Sequence, residues 1–153
     1  MKPLALAGRG QRTASSCVYP LVMPLPSPSP VPPADGVVTQ ERLEALLALG
    51  AEYDELDYKS KLELSSQRDE VELAKDVGAM QVKGGFIVVG VDGNGTPTGE
   101  MDGVATSPFD PARLVPKMQR YLAGPLLIAS SVLEKDGHTI VLVCISPNLM
   151  LNY

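Results

Sequence analysis

Residues 86–91 read Phe-Ile-Val-Val-Gly-Val, a short run that is apolar on both faces of an extended chain. Gly84-Gly85 precedes it and the turn signal Asp92-Gly93-Asn94-Gly95 follows it. A brief apolar run between such breaks is a strand buried on both sides, central in its sheet. Upstream, residues 56–64 read Leu-Asp-Tyr-Lys-Ser-Lys-Leu-Glu-Leu. Leu56, Tyr58, Ser60, Leu62 and Leu64 share one face; Asp57, Lys59, Lys61 and Glu63 share the other. That alternation predicts a half-buried strand. Between the two, Val71, Leu73, Ala74, Val77, Gly78 and Met80 recur at helical spacing, predicting a helix over 67–81 that Ser66 and Asp69 open as a capping pattern. Strand, helix, strand in that order implies a right-handed parallel crossover.

The rest of the chain is built outward from this unit. Thr39 is a candidate N-cap, Glu41 and Glu44 suit the first turns, and Leu43, Leu46, Leu47 and Leu49 form a stripe that Gly50 ends, so a helix is expected over 40–49. A short strand is expected over 96–99. Another helix is expected over 110–122, with Pro111 at its first turn and Pro116 as a possible kink. Residues 126–134 and 138–146 read as two strands of a hairpin turned by Asp136-Gly137. The expected class is α/β (α+β): a mixed β-sheet of about five strands with two or three helices.

Eight of the fourteen prolines fall within the first 33 residues, and 24–33 read Pro-Leu-Pro-Ser-Pro-Ser-Pro-Val-Pro-Pro. Proline fixes φ and removes a donor, so this stretch favours polyproline II. The chain divides into a disordered proline-rich tail at 1–36, a folded domain at 37–147 and a C-terminal extension at 148–153. Cys17 and Cys144 are the only cysteines, too few for a disulfide framework or a metal site, and Cys144 reads as a small buried hydrophobe. No apolar run is long enough to span a membrane, and a cytoplasmic protein is expected. The net charge is −5, but Lys2, Arg9 and Arg12 lie in the tail. From residue 35 onward ten Lys and Arg face eighteen Asp and Glu, a net −8. A phosphate backbone would therefore need a local basic surface.

No phosphate loop and no dinucleotide fingerprint is present. His138, the only histidine, reads as a solvated residue just after the hairpin turn. The notable cluster is acidic. Glu52, Asp54, Glu55 and Asp57 crowd the approach to the first strand, and Asp92 stands at the carboxyl end of the central one, where open α/β sheets form their crevice. Crowded carboxylates need a divalent cation or a lysine among them, and Lys59 shares a strand face with Asp57. Carboxylates with a lysine suffice for metal-dependent phosphodiester cleavage. A solvated loop and an ordinary Asp-Gly turn account for the same residues.

Glu52, Asp57-Tyr58-Lys59 and, after the helix, Gly84-Gly85-Phe86-Ile87-Val88-Val89-Gly90-Val91-Asp92 with Gly95 and Gly99 resemble the Schlafen AlbA-like domain. That family shows a glutamate followed by an acidic-aromatic-lysine entry, a helix, and a glycine pair leading into a G-V-D strand end. The likeness extends over about Leu43–Pro147. Two departures stand out: Ala79 to Gly85 lacks the family's usual asparagine, and position 57 is Asp where Glu is commoner. The resemblance implies a DNA-binding module, often in regulators, or, as in vertebrate Schlafens, a nuclease acting on structured RNA through three acids. Carried over by position, those acids are Glu52, Asp57 and Asp92, holding Mg²⁺ or Mn²⁺, with Lys59 beside them. Three readings follow. One is a nucleic-acid-binding module for DNA or RNA, contacting phosphates through Lys59, Lys61, Arg68, Lys75 or Lys83. The second is a metal-dependent endoribonuclease. The third is a protein-interaction module with no nucleic-acid ligand.

Overall fold

A computed structural model of the chain describes residues 29–148. The tail through residue 28, with Cys17, and residues 149–153 lie outside the described residues. In chain order the elements are α1 (Gln40–Ala48), β1 (Leu56–Lys59), α2 (Gln67–Met80), β2 (Gly85–Val89), a 3-10 turn (Ser107–Phe109), α3 (Pro111–Gln119), β3 (Ile128–Lys135) and β4 (His138–Ile145). The sheet has four strands in the order β1-β2-β4-β3. β1 pairs parallel to β2, and β4 runs antiparallel to both β2 and β3. The class is α+β. The count expected from the sequence was one strand too many, because residues 96–99 contribute only a single bridge, Val91 to Pro97. Three glycines and a proline over 93–99 leave too little pairing capacity for a strand there.

Strand alternation decides what each face carries. Phe86, Val88, Ile140, Leu142 and Cys144 project to one side, where they pack with Leu56, Tyr58 and the Leu43, Leu46 and Leu47 stripe of α1. Ile87, Val89, Val141, Val143 and Ile145 project to the other, against Leu73, Ala74 and Val77 of α2 and Leu114 and Met118 of α3. β2 is buried throughout, as its composition required. β1 is shorter than its alternation suggested, four residues, and Leu62 and Leu64 reach the α2 side of the core from the loop after it.

The helix ends follow local chemistry. Thr39 accepts from the Arg42 amide at 3.2 Å, and Asp110 accepts from the Ala112 amide at 2.9 Å with Pro111 at the first turn. At α2 the expected cap differs: Ser66 makes no side-chain cap, and Asp69 reaches back to the Glu63 amide at 2.8 Å, bracing the loop before the helix. The hairpin turn takes positive φ at both central residues, 54° at Asp136 and 80° at Gly137, the geometry that matches strand twist. Gly90 has φ 114°, and a Cβ there would lie 2.7 Å from the Thr139 carbonyl oxygen. Only glycine lets the chain leave β2 alongside β4.

Ordered packing begins before the expected boundary at residue 37. Val31 is buried against the α1 side of the core. Asp35 pairs with Arg42 at 3.0 Å, and Arg42 also donates to the Pro33 carbonyl. Pro33 and Ala34 lie over Gly84-Gly85, where a Cβ at Gly84 would meet that of Ala34 at 2.9 Å. The last residues of the proline-rich stretch thus form a strap over the glycine pair.

Candidate functional site

Because Leu56 and Tyr58 point to the α1 side, Asp57 and Lys59 point to the α2 side. There Lys59 meets Glu72 and Asp76, one turn apart on α2. Its ammonium nitrogen lies 2.8 Å from Asp76, 3.1 Å from Asp57 and 3.1 Å from Glu72, and the side chain is only 15% exposed. The face expected to be solvated is therefore an ion cage between strand and helix. Burial alone would lower the Lys59 pKa, but Asp76, then Asp57 and Glu72, outweigh it and hold the ammonium above the ordinary lysine value. One cation serves three acids. Asp57 is pushed up by burial and then by its hydrogen bond to the Glu52 carboxyl; Asp76 is pushed up by burial despite Lys59. Glu52 also accepts from the Tyr58 amide at 3.2 Å. Glu52, Asp57, Lys59 and Asp76 line a shallow opening of about 280 Å³.

Asp92 is placed differently. Its turn flanks Glu52, whose carboxylate lies 3.8 Å from where a Cβ on Gly93 would sit. Its own carboxylate, however, accepts from the Asn94 amide at 2.8 Å and the Thr96 amide at 3.0 Å, closing the 92–96 turn, and it does not line the opening. The structure thus brings Glu52, Asp57 and Lys59 together, adds Glu72 and Asp76, and commits Asp92 to its loop. Among the described residues no three His, Cys, Asp or Glu are placed to hold a metal ion in common. The donor set does not fit Mg²⁺ or Mn²⁺: a lysine ammonium already sits among the carboxylates of Asp57, Glu72 and Asp76.

The basic residues expected to contact phosphate divide. Lys59 is enclosed by acids. Lys61 pairs with Glu63 at 3.0 Å. Lys83 shares its groove with Asp54 and Glu55. Arg68 is exposed and lies with Lys75 along a groove that Glu72 also lines.

A basic surface lies instead on α3. Arg113, Lys117 and Arg120 recur at i, i+4 and i+7, so they share one helix face. With Pro108, Ala112 and Pro116 they line an open groove of about 360 Å³. No acid occurs between residues 111 and 127. Glu70 of α2, its side chain 7% exposed, braces the helix from beneath. It lies 3.5 Å from both Lys117 and Arg120 and accepts from the Tyr121 hydroxyl at 2.7 Å. The i, i+4, i+7 spacing of these cations is legible in the sequence; their lying on one open groove is not.

The Schlafen, AlbA_2 family model matches residues 52–151, which is 100 of the 153 residues. The chain belongs to the Schlafen AlbA_2 family. No curated protein and no solved structure matches it. The glycines by which the AlbA_2 motif is recognised have structural work here. Gly84 and Gly85 admit the strap and the Met80 side chain, and Gly95 sits 3.2 Å, by its would-be Cβ, from the Tyr58 ring. Among the described residues of this AlbA_2 domain, no helix is long and apolar enough to cross a membrane.

Proposed function

We propose that this AlbA_2 domain is a nucleic-acid-binding module, with the α3 face as its contact surface. The observation that carries the reading is local charge. In a domain of net −8 from residue 35 onward, Arg113, Lys117 and Arg120 line one groove with no acid among its lining residues. A phosphate backbone needs such a surface to be attracted to an otherwise acidic molecule. The same patch favours this reading over an interaction module without a nucleic-acid ligand. Family membership is consistent with it.

The test is a gel shift at low salt with the intact chain. Binding that weakens steeply as salt rises, and that is lost in the Arg113→Glu variant, supports the module. No shift with any DNA or RNA at low salt refutes it. The carboxylates around Lys59 do not suit the divalent ion that a metal-dependent nuclease requires, because the ammonium already occupies their centre.

A further inference from the structure

We propose that the α3 groove takes the phosphate backbone of a duplex, DNA or RNA, without reading its bases. This rests on the nucleic-acid-binding reading above and narrows its ligand. With a rise of about 1.5 Å per residue, Lys117 and Arg120 stand roughly 6 and 10.5 Å along the helix from Arg113. The three side chains start from one face of a helix that is clamped to α2 through Glu70. A duplex presents a stiff array of fixed charge, about one per 3.4 Å of axis along each strand.

Single strands are held in another way. They depend on aromatic platforms, each stacked base contributing about 1–3 kcal/mol. No aromatic residue lines this groove. Tyr121 follows Arg120 but has its hydroxyl tied to Glu70 and lies outside the lining. Arg and Lys can also reach guanine edges, but no Asn, Gln, Ser or Thr lines the groove to read the other bases, and Pro108 and Pro116 contribute no backbone donor. What remains is charge set at a fixed spacing.

The experiment is fluorescence anisotropy with the full chain. The probes are a duplex DNA of about 20 base pairs, a second of unrelated sequence, the matching duplex RNA and each single strand, titrated over a range of salt. Both DNA duplexes should bind equally, and single strands several-fold more weakly. Three phosphate contacts give a slope of about −2.7 in log K against log salt, and Arg113→Ala should reduce it by about 0.9. Arg113 is the residue to change because it makes no ion pair with Glu70, so the helix clamp stays intact; circular dichroism checks the fold. The duplex RNA arm tells which backbone is preferred, either preference supporting the inference. Single strands binding as tightly as duplexes, a strong preference between the two DNA sequences, or an unchanged slope in Arg113→Ala would overturn it while leaving the module standing. Binding to none of the probes would overturn both.

Discussion

Lys59 shows how one residue's role follows from strand parity. Two residues from Asp57 on a strand, it shares that side chain's face, and the face happens to look onto α2. Its ammonium then becomes the counter-ion of a cluster that would otherwise repel itself. Lys59→Met should destabilise the fold by about 2 kcal/mol in urea denaturation, below the 3–5 typical of a fully buried pair because its partners remain partly exposed. The loss should depend on pH. Asp57 and Asp76 already titrate above the ordinary aspartate value, through burial first. Without Lys59 they rise further. An acid whose folded pKa is raised weakens the fold as pH climbs through that value. The deficit should therefore be largest near neutral pH and shrink as pH falls towards the ordinary aspartate value of 3.8. A deficit that does not change with pH would mean that the lysine acts through packing alone. Asp57→Asn makes the complementary case: it removes a carboxylate whose charge the site disfavours, so its cost should stay within about 1 kcal/mol.

At the scale of elements, the α2–α3 contact and the β2 exit are the joints to test. Glu70 reaches Tyr121, Lys117 and Arg120 from one buried position. The Tyr121 hydrogen bond, first among its causes, holds the Glu70 carboxyl below its ordinary value of 4.5. For a lowered acid the stabilisation is present above the unfolded value and is lost as pH falls through the folded one. Glu70→Gln should cost about 1–2 kcal/mol at neutral pH. It should also flatten the acid limb of stability below pH 4.5. An acid limb identical to wild type would show that the clamp is not Glu70. At the other joint, Gly90→Ala meets both a positive φ and the Thr139 carbonyl. It should cost about 2–4 kcal/mol by thermal denaturation, and a neutral substitution there would contradict the close approach of β2's exit to β4.

At the scale of the whole molecule, the described residues form a four-stranded sheet with α1 on one face and α2 and α3 on the other, closed at one corner by the strap of residues 31–36. A chain beginning at residue 37 loses the buried Val31 and the Asp35–Arg42 pair, whereas one beginning at residue 29 keeps both. The shorter chain should be less stable by about 1–3 kcal/mol, mainly from Val31. Equal melting temperatures would show that the strap contributes nothing. Cys144 belongs to the same core and is fully buried. It should react with a thiol reagent only on unfolding, since burial raises its pKa and hides the sulfur.

The local elements were legible in the chain itself. The FIVVGV run of β2, the leucine stripe of α1, the helical spacing of α2 and the Asp136-Gly137 turn each follow from side-chain periodicity or backbone freedom, which act over a few residues. The acid cluster beside Lys59 and the basic spacing of α3 were equally visible as patterns. Which groups meet was not. Tertiary packing turned the Asp57–Lys59 face onto α2, brought Glu72 and Asp76 to the lysine, and set the basic face of α3 over Glu70. Charges act through space and burial, and both are set by how the elements pack.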